Sequence, residues 1–186
     1  HAGGAETVVS QIASGLRAWG HEFRVAAVIE KGRERAHPFL EMLQELGVPV
    51  SPIIVSGRGY RAERAAVAKC VRDMEADIVH THGYRADVID GGVARALRVP
   101  HVITLHGFVG LSIRGRFYEW LQVKQSLYAT RVICVSEAIA ARVRGAGALD
   151  RVVVQPNAVV PDGQALTREE ARGALGLPSN AWVVGW

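Results

Sequence analysis

The sequence predicts an α/β protein built on a parallel sheet with helices on both faces. Three observations predict it. Short runs rich in Val and Ile lack the polar alternation of a half-exposed strand. Segments with apolar residues at helical spacing separate those runs, the order expected of βα units. Polar residues recur where the runs end, as "HTHG" (80–83), "LHGF" (105–108), "VSEA" (135–138) and "QPNA" (155–158). In an open parallel sheet ligands bind beyond those carboxyl ends.

Each element has its own signal. "TVVSQIASGLRAW" places Val8, Ile12, Leu16 and Trp19 on one helical face and Gly20 ends it. Strand "FRVAAVI" follows, then a helix over 38–47 opened by Pro38 and closed by Gly47, then strand "VPVSPIIV". The helix over 60–74 carries Val67, Val71 and Met74 on one side. Next come strand 77–82, one helix over 85–98, strand 101–106, helix 115–129 and strand 131–136. Helix 137–147 and strand 151–156 complete the series. The texture changes at "PNAVVPDGQALT". Residues 168–178 read as a helix with Thr167 as N-cap and Glu170 completing a capping box, and "AWVVGW" as a further strand. The expected organisation is a sheet domain over 1–156, a linker over 157–167, and the start of a second domain over 168–186. A glycine loop that feeds a helix ordinarily follows a strand, so the domain is expected to lack its first strand and the second domain most of its length.

Composition narrows the function. With 186 residues and 49% hydrophobic content, the chain can bury a core and does not resemble a disordered segment. No apolar run approaches the ~20 residues of a membrane span. The two cysteines, Cys70 and Cys134, fall inside regular elements, as buried thiols of a reducing compartment do. The net charge of +4 is spread along the chain with no basic run, so no nucleic-acid partner is expected.

The histidines carry the chemistry. His80 and His82 alternate on a strand and share a face. A metal site would need three or four ligands; only His106 stands nearby, with no cysteine or carboxylate cluster, and no metal is expected. His80, deeper in its strand, reads as a core residue, whereas His82 and His106 sit at the rim. A neutral imidazole there can donate to or accept from a sugar hydroxyl, and Gly107 lets a ligand approach the backbone. "GGAE" at 3–6 opens the first helix, where Gly3 and Gly4 can present N–H groups to a phosphate or form a plain turn. Gly57-x-Gly59-x-x-Ala62 mimics a dinucleotide fingerprint. The acid that should end the next strand is absent, since Asp77 lies at its start, so a nicotinamide reading fails. Arg58, Tyr60 and Arg61 remain as substrate-loop or solvated residues. Ser136 reads as an N-cap. The helix "IRGRFYEWLQVKQSLY" mixes arginines with aromatics, as an ordinary amphipathic helix or as a membrane-surface one.

Together "GGAETVVSQIASGLRAWGHEFRV", "ADIVHTHG", "VPHVITLHG", "RVICVSEAIAARV" and "RVVVQPNAVV" resemble the amino-terminal half of the GT-B retaining glycosyltransferases of family 4. The last stretch departs from the family's pattern, with Ala158 where glycine is usual and Val160 where aspartate is usual. The resemblance implies a Rossmann-like acceptor-side domain facing a second domain that holds most of the nucleotide-sugar site. It implies that Gly3 and Gly4 approach the donor diphosphate and that His106 sits by the transferred sugar. His82, Tyr84, Gly107 and the loop with Arg58, Tyr60 and Arg61 would lie toward the acceptor. The implied reaction is metal-independent transfer with retention, from a nucleotide-diphosphate sugar to a sugar, lipid-linked or phosphorylated acceptor. No cofactor is implied. A cytoplasmic protein with peripheral contact to the inner face of the membrane is expected. The family's basic pair and paired glutamates match nothing in residues 1–186, so these residues alone are expected to be inactive. A non-catalytic Rossmann-like binding module and a GT-B nucleotide-sugar epimerase are the alternatives.

Overall fold

The computed structural model describes residues 3–33, 37–108, 112–147, 149–158 and 166–184. In chain order the elements are α1 (Gly4–Ala18), β1 (Val25–Glu30), α2 (Pro38–Glu45), β2 (Val50–Val55), α3 (Tyr60–Asp73), β3 (Val79–His82), α4 (Tyr84–Ile89) and α5 (Gly91–Leu97). Then come β4 (His101–Leu105), α6 (Ile113–Ser126), β5 (Arg131–Cys134), α7 (Glu137–Gly145), a 3-10 turn (Leu149–Arg151), β6 (Val152–Val154) and α8 (Arg168–Ala174). Helices alternate with strands as the hydrophobic periodicity requires, and every strand pair is parallel.

The strands form two sheets, β1-β2 and β3-β4-β5-β6. Among the described residues β1 and β3 each keep one edge without a strand partner. A cavity of about 1280 Å³ lies between these edges, lined by Val25–Ile29 of β1, by Val79–His82 of β3, and by Val8, Ile12 and Leu16 of α1. The predicted apolar face of α1 therefore turns toward this cavity. What α1 buries in the core is the neighbouring face, Ser10 and Ala13, while Trp19 is 81% exposed.

Three apolar clusters hold the layers. Ala13, Ile29, Leu43 and Val48 join α1 and α2 to β1. Ile53, Val55, Val67, Val71 and Val93 join β2 to α3 and α5, with Val28 and Val79 packed against them, so this cluster touches strands of both sheets. Ile103, Leu105, Val132, Cys134, Ala140 and Val143 join β4 and β5 to α7. Burying each Val, Leu or Ile among them contributes roughly 1.5–3 kcal/mol.

Some boundaries differ from the sequence reading. The helix expected over 85–98 is two helices, α4 and α5, parted at Asp90. Gly91 at the break packs against the His101 ring, which a Cβ there would overlap. α6 begins before residue 115 because Ser112 caps it, its hydroxyl accepting from the Gly115 N–H at 3.0 Å. Residues 181–184 are not a strand. Among the described residues no other strand stands beside them to satisfy their backbone groups, so the apolar run "AWVVGW" is not enough; residues 185–186 lie outside the described residues. The capping box at Thr167 and Glu170 is present, as is the Ser136 cap on α7. Cys134 is buried and Cys70 half-buried, both as free thiols. Most of the expected linker, 159–165, lies outside the described residues.

Candidate functional site: a histidine pair at the sheet edge

Parallel register sets His82 opposite Thr104, so that His106, two residues farther along, projects from the same face. His82 Nδ1 and His106 Nε2 share a hydrogen bond of 3.0 Å, with the rings stacked 5.3 Å apart. His80 lies one pleat deeper, its ring 4.3 Å from that of His82 and its Nε2 bonded to Thr104 Oγ1 at 2.7 Å. His80 is half-buried and also lines the large cavity, with one ring nitrogen satisfied by Thr104, so it is not the enclosed core residue that its depth suggests. One nitrogen of each ring is engaged, His80 Nε2 by Thr104 and His82 Nδ1 by His106 Nε2, and no group of metal ligands converges among the described residues.

Burial, and after it the neighbouring rings, lowers His82 to about 3. Burial, with His101 and His106, lowers His80 to about 4. His106 is also lowered, by burial, against a smaller opposing pull from the Glu6 carboxylate. All three rings are neutral at pH 7, and neutrality has a consequence for the rim pair. Within a neutral pair one ring donates and the other accepts. Whichever way the shared proton points, the two outer nitrogens, His82 Nε2 and His106 Nδ1, comprise one donor and one acceptor. A hydroxyl, which both donates and accepts, suits that pair.

The opposite face of the same strands holds a closed polar network. Thr81 Oγ1 donates to Asp87 Oδ1 at 2.5 Å and contacts His101 Nε2 at 2.9 Å, and Gln122 Nε2 donates to Asp87 Oδ2 at 2.6 Å. Burial lifts the Asp87 carboxyl to about 7 despite the two donors, which pull it down. This network ties α4 and α6 to β3. It fixes the backbone that carries His82.

Gly83, with φ of 88°, turns the chain from β3 into α4 and places Tyr84 at the rim. Arg58, Tyr60 and Tyr84 line a second cavity of about 430 Å³ with Gly57, Arg85, Ser112, Gly115 and Tyr118. Among the described residues its lining holds two arginines and no carboxylate, and it includes Gly57, Arg58 and Tyr60 at the start of α3. Arg85 grips the fully buried Glu63 through Nε and Nη2 and lies over the Tyr60 ring, its carbon 5.1 Å from the centroid. Tyr84 and Arg85 also line the large cavity that contains His82, so the two spaces adjoin. Arg61 is exposed on α3 outside this pocket, and Gly107, exposed with φ of 155°, follows His106.

Gly3 is the N-cap of α1 and Gly4 its first residue, both exposed. The Glu6 carboxylate folds back over Gly3, with Oε2 2.5 Å from where a Cβ would stand. That acid already complements the positive helix end, and an anion arriving there meets it. Sequence reasoning missed Arg85, Glu6 and Ser112. Arg85 shows no sequence signal, because its partner Glu63 is 22 residues away; Ser112 does, standing three residues before Gly115 as an N-cap would.

Comparisons with known proteins bear on the fold and on the family. Solved structures share the fold. Anabaena HepE, in complex with UDP and glucose, superposes with a TM-score of 0.68 at 23% identity over 94% of this chain and 47% of its own. A glycosyltransferase from Rickettsia africae gives 0.70 at 17% identity over 96% and 48%. The chain thus spans about half the length of these structures. The Escherichia coli UDP-Gal:alpha-D-GlcNAc-diphosphoundecaprenol alpha-1,3-galactosyltransferase is 33% identical over 72 residues, 36% of this chain and 19% of that protein. The Glycosyltransferase Family 4 model matches residues 2–162, the greater part of the chain. The parallel α/β architecture is thus that of a domain in that family: the chain belongs to Glycosyltransferase Family 4.

Proposed function

We propose that this chain forms the acceptor-side part of a glycosyltransferase that moves a sugar from a nucleotide-diphosphate donor to an acceptor hydroxyl with retention of configuration. The observation that carries the reading is the neutral His82–His106 pair at the ends of β3 and β4. Its outer nitrogens suit a hydroxyl, with His106 toward the transferred sugar and His82 toward the acceptor. Neutrality serves this role, because a cationic ring would donate only. Gly3 and Gly4 would approach the donor diphosphate at the α1 N-terminus, with Glu6 displaced or turned toward His106. The structures with UDP and UDP-glucose support a uridine-diphosphate donor. The reaction needs no metal in this reading, and fixed dipoles and cations would stabilise the leaving diphosphate.

Arg58, Tyr60 and Tyr84 would hold the acceptor's polar group in the 430 Å³ pocket, with Arg61 and Gly107 at its approaches. With Arg85 compensated by Glu63, the exposed Arg58 is the cation that favours a phosphorylated or lipid-diphosphate acceptor, in line with the acceptor named for the E. coli relative. A cytoplasmic location suits a nucleotide-sugar donor. The test is UDP release by the full-length gene product from a panel of UDP-hexoses, with and without lipid-diphosphate acceptors. Acceptor-dependent release with the product's anomeric centre retained is expected. Tight binding of a nucleotide sugar with no turnover on any acceptor would favour the binding-module alternative.

A further inference from the structure

From the ion pair that joins α3 to α4, we infer that Arg85 is a specificity-determining residue for the acceptor. Its uncovered guanidinium edge takes a neutral oxygen of the acceptor's sugar, while Arg58 takes the anion. The inference rests on the acceptor-side reading above and adds to it which group binds where. Arg85 follows the β3–α4 turn and lines both the large cavity and the 430 Å³ pocket. It thus stands where the space holding His82 meets the space holding Arg58. Glu63, fully buried in the first turn of α3, fixes it there. Arg85 donates to that carboxylate through Nε at 3.0 Å and through Nη2, and its carbon lies 5.1 Å from the Tyr60 ring centroid. The Nη1 hydrogens have no partner among the described residues, and 35% of the side chain is exposed. A guanidinium only donates, so its free edge requires an oxygen.

Charge decides which oxygen. An arginine without a counter-charge favours phosphate. The Arg85 charge is already met by Glu63, and the buried carboxyl of Asp90, which also lines the large cavity, feels both groups. A phosphate on the free edge would face the Glu63 carboxylate across a single guanidinium. A hydroxyl or carbonyl oxygen brings no charge and meets no such opposition. Arg58 is the converse case, exposed and without a carboxylate partner among the described residues. The two arginines of one pocket therefore bind different parts of one ligand.

The test is calorimetric binding to the full-length gene product of geranyl diphosphate, alone and carrying an α-linked glucose, galactose or N-acetylglucosamine on its diphosphate. The parent is expected to bind at least one sugar-bearing lipid more tightly than the sugar-free one. Arg85→Gln should weaken that ligand about tenfold or more and leave geranyl diphosphate unchanged, whereas Arg58→Gln should weaken both. Arg85→Gln leaves Glu63 buried without its cation. The double variant with Glu63→Gln therefore repeats the measurement with an amide pair in place of the charges, and the same pattern is expected. Glu63→Gln alone uncovers the Arg85 charge and should tighten geranyl diphosphate about fivefold, a gain that lost packing does not produce. Equal weakening of both ligands by Arg85→Gln and the double variant, or weakening of neither, would overturn the proposal. A parent that binds none of these lipids would overturn the acceptor-side reading first, and this proposal with it.

Discussion

A single imidazole on a strand end can be a ligand, a base or packing, and at His106 the partner decides. His82 Nδ1 occupies its Nε2 and leaves its Nδ1 outward. Two residues that the sequence offers separately thus act as one group with a fixed donor and acceptor. Removing His82 frees the His106 ring to rotate and change tautomer. His82→Leu should therefore lower kcat about a hundredfold in the full-length protein with KM for the donor little changed, the pattern of lost orientation; equal loss in kcat and in donor affinity would place His82 on the donor itself. Neutrality is separately measurable. Side-chain NMR should show the His80 and His82 rings uncharged down to pH 5, given values near 4 and 3. Titration of either ring near its ordinary 6.5 would mean that the cleft is wet and the pair unpaired. The rim positions of these histidines were legible from strand ends alone. Their bond was not, because it depends on the β3–β4 register, which no local pattern encodes.

Among the elements, legibility followed periodicity. Strands β1 to β5 and helices α1, α2, α3 and α7 announce themselves by period, caps and proline or glycine punctuation. The split between α4 and α5 does not, because it answers to a contact across the fold. Gly91 admits the His101 ring, and His101 in turn anchors Thr81 and the Asp87 network. Gly91→Ala should cost about 1–3 kcal/mol in urea denaturation through overpacking, although alanine favours the helix. An unchanged midpoint would show that the ring moves aside freely. The apolar face of α1 is where its period puts it: Val8, Ile12 and Leu16, all half-buried, line the cavity between the sheets, and only Trp19 at the helix end is exposed. Residues 181–184 fail for want of a neighbour, since a strand exists only beside another.

At the scale of the whole molecule, opposed titrations meet under one fold. His80, His82 and His101 have native values below their ordinary 6.5, so in the window from about 4 to 6.5 the unfolded chain binds more protons and their share of stability rises with pH. Asp87 and Asp90 are raised to about 7 by burial, so between about 4 and 7 the folded chain binds more protons and their share falls as pH rises. The two trends offset each other. Asp87→Asn removes one falling component, so its thermal midpoint should climb with pH between 4 and 6.5 more steeply than the parent's. Parallel profiles would mean that Asp87 is not the proton holder. The fold class and the family were legible in the sequence at this scale, through the order of its motifs. The cavity between the two sheets takes its lining from β1, β3 and α1, a grouping that shows only once the strands are assembled.

The central claim is that the rim histidine serves sugar transfer, and the most direct measurement is the rate of acceptor-dependent UDP release by the full-length gene product carrying His106→Ala. His106 is half exposed at a strand end, so the fold should survive the substitution. The account predicts a loss of about a hundredfold or more in kcat with circular dichroism and thermal midpoint unchanged. Turnover near that of the parent would contradict it and return His106 to the role of a packing residue.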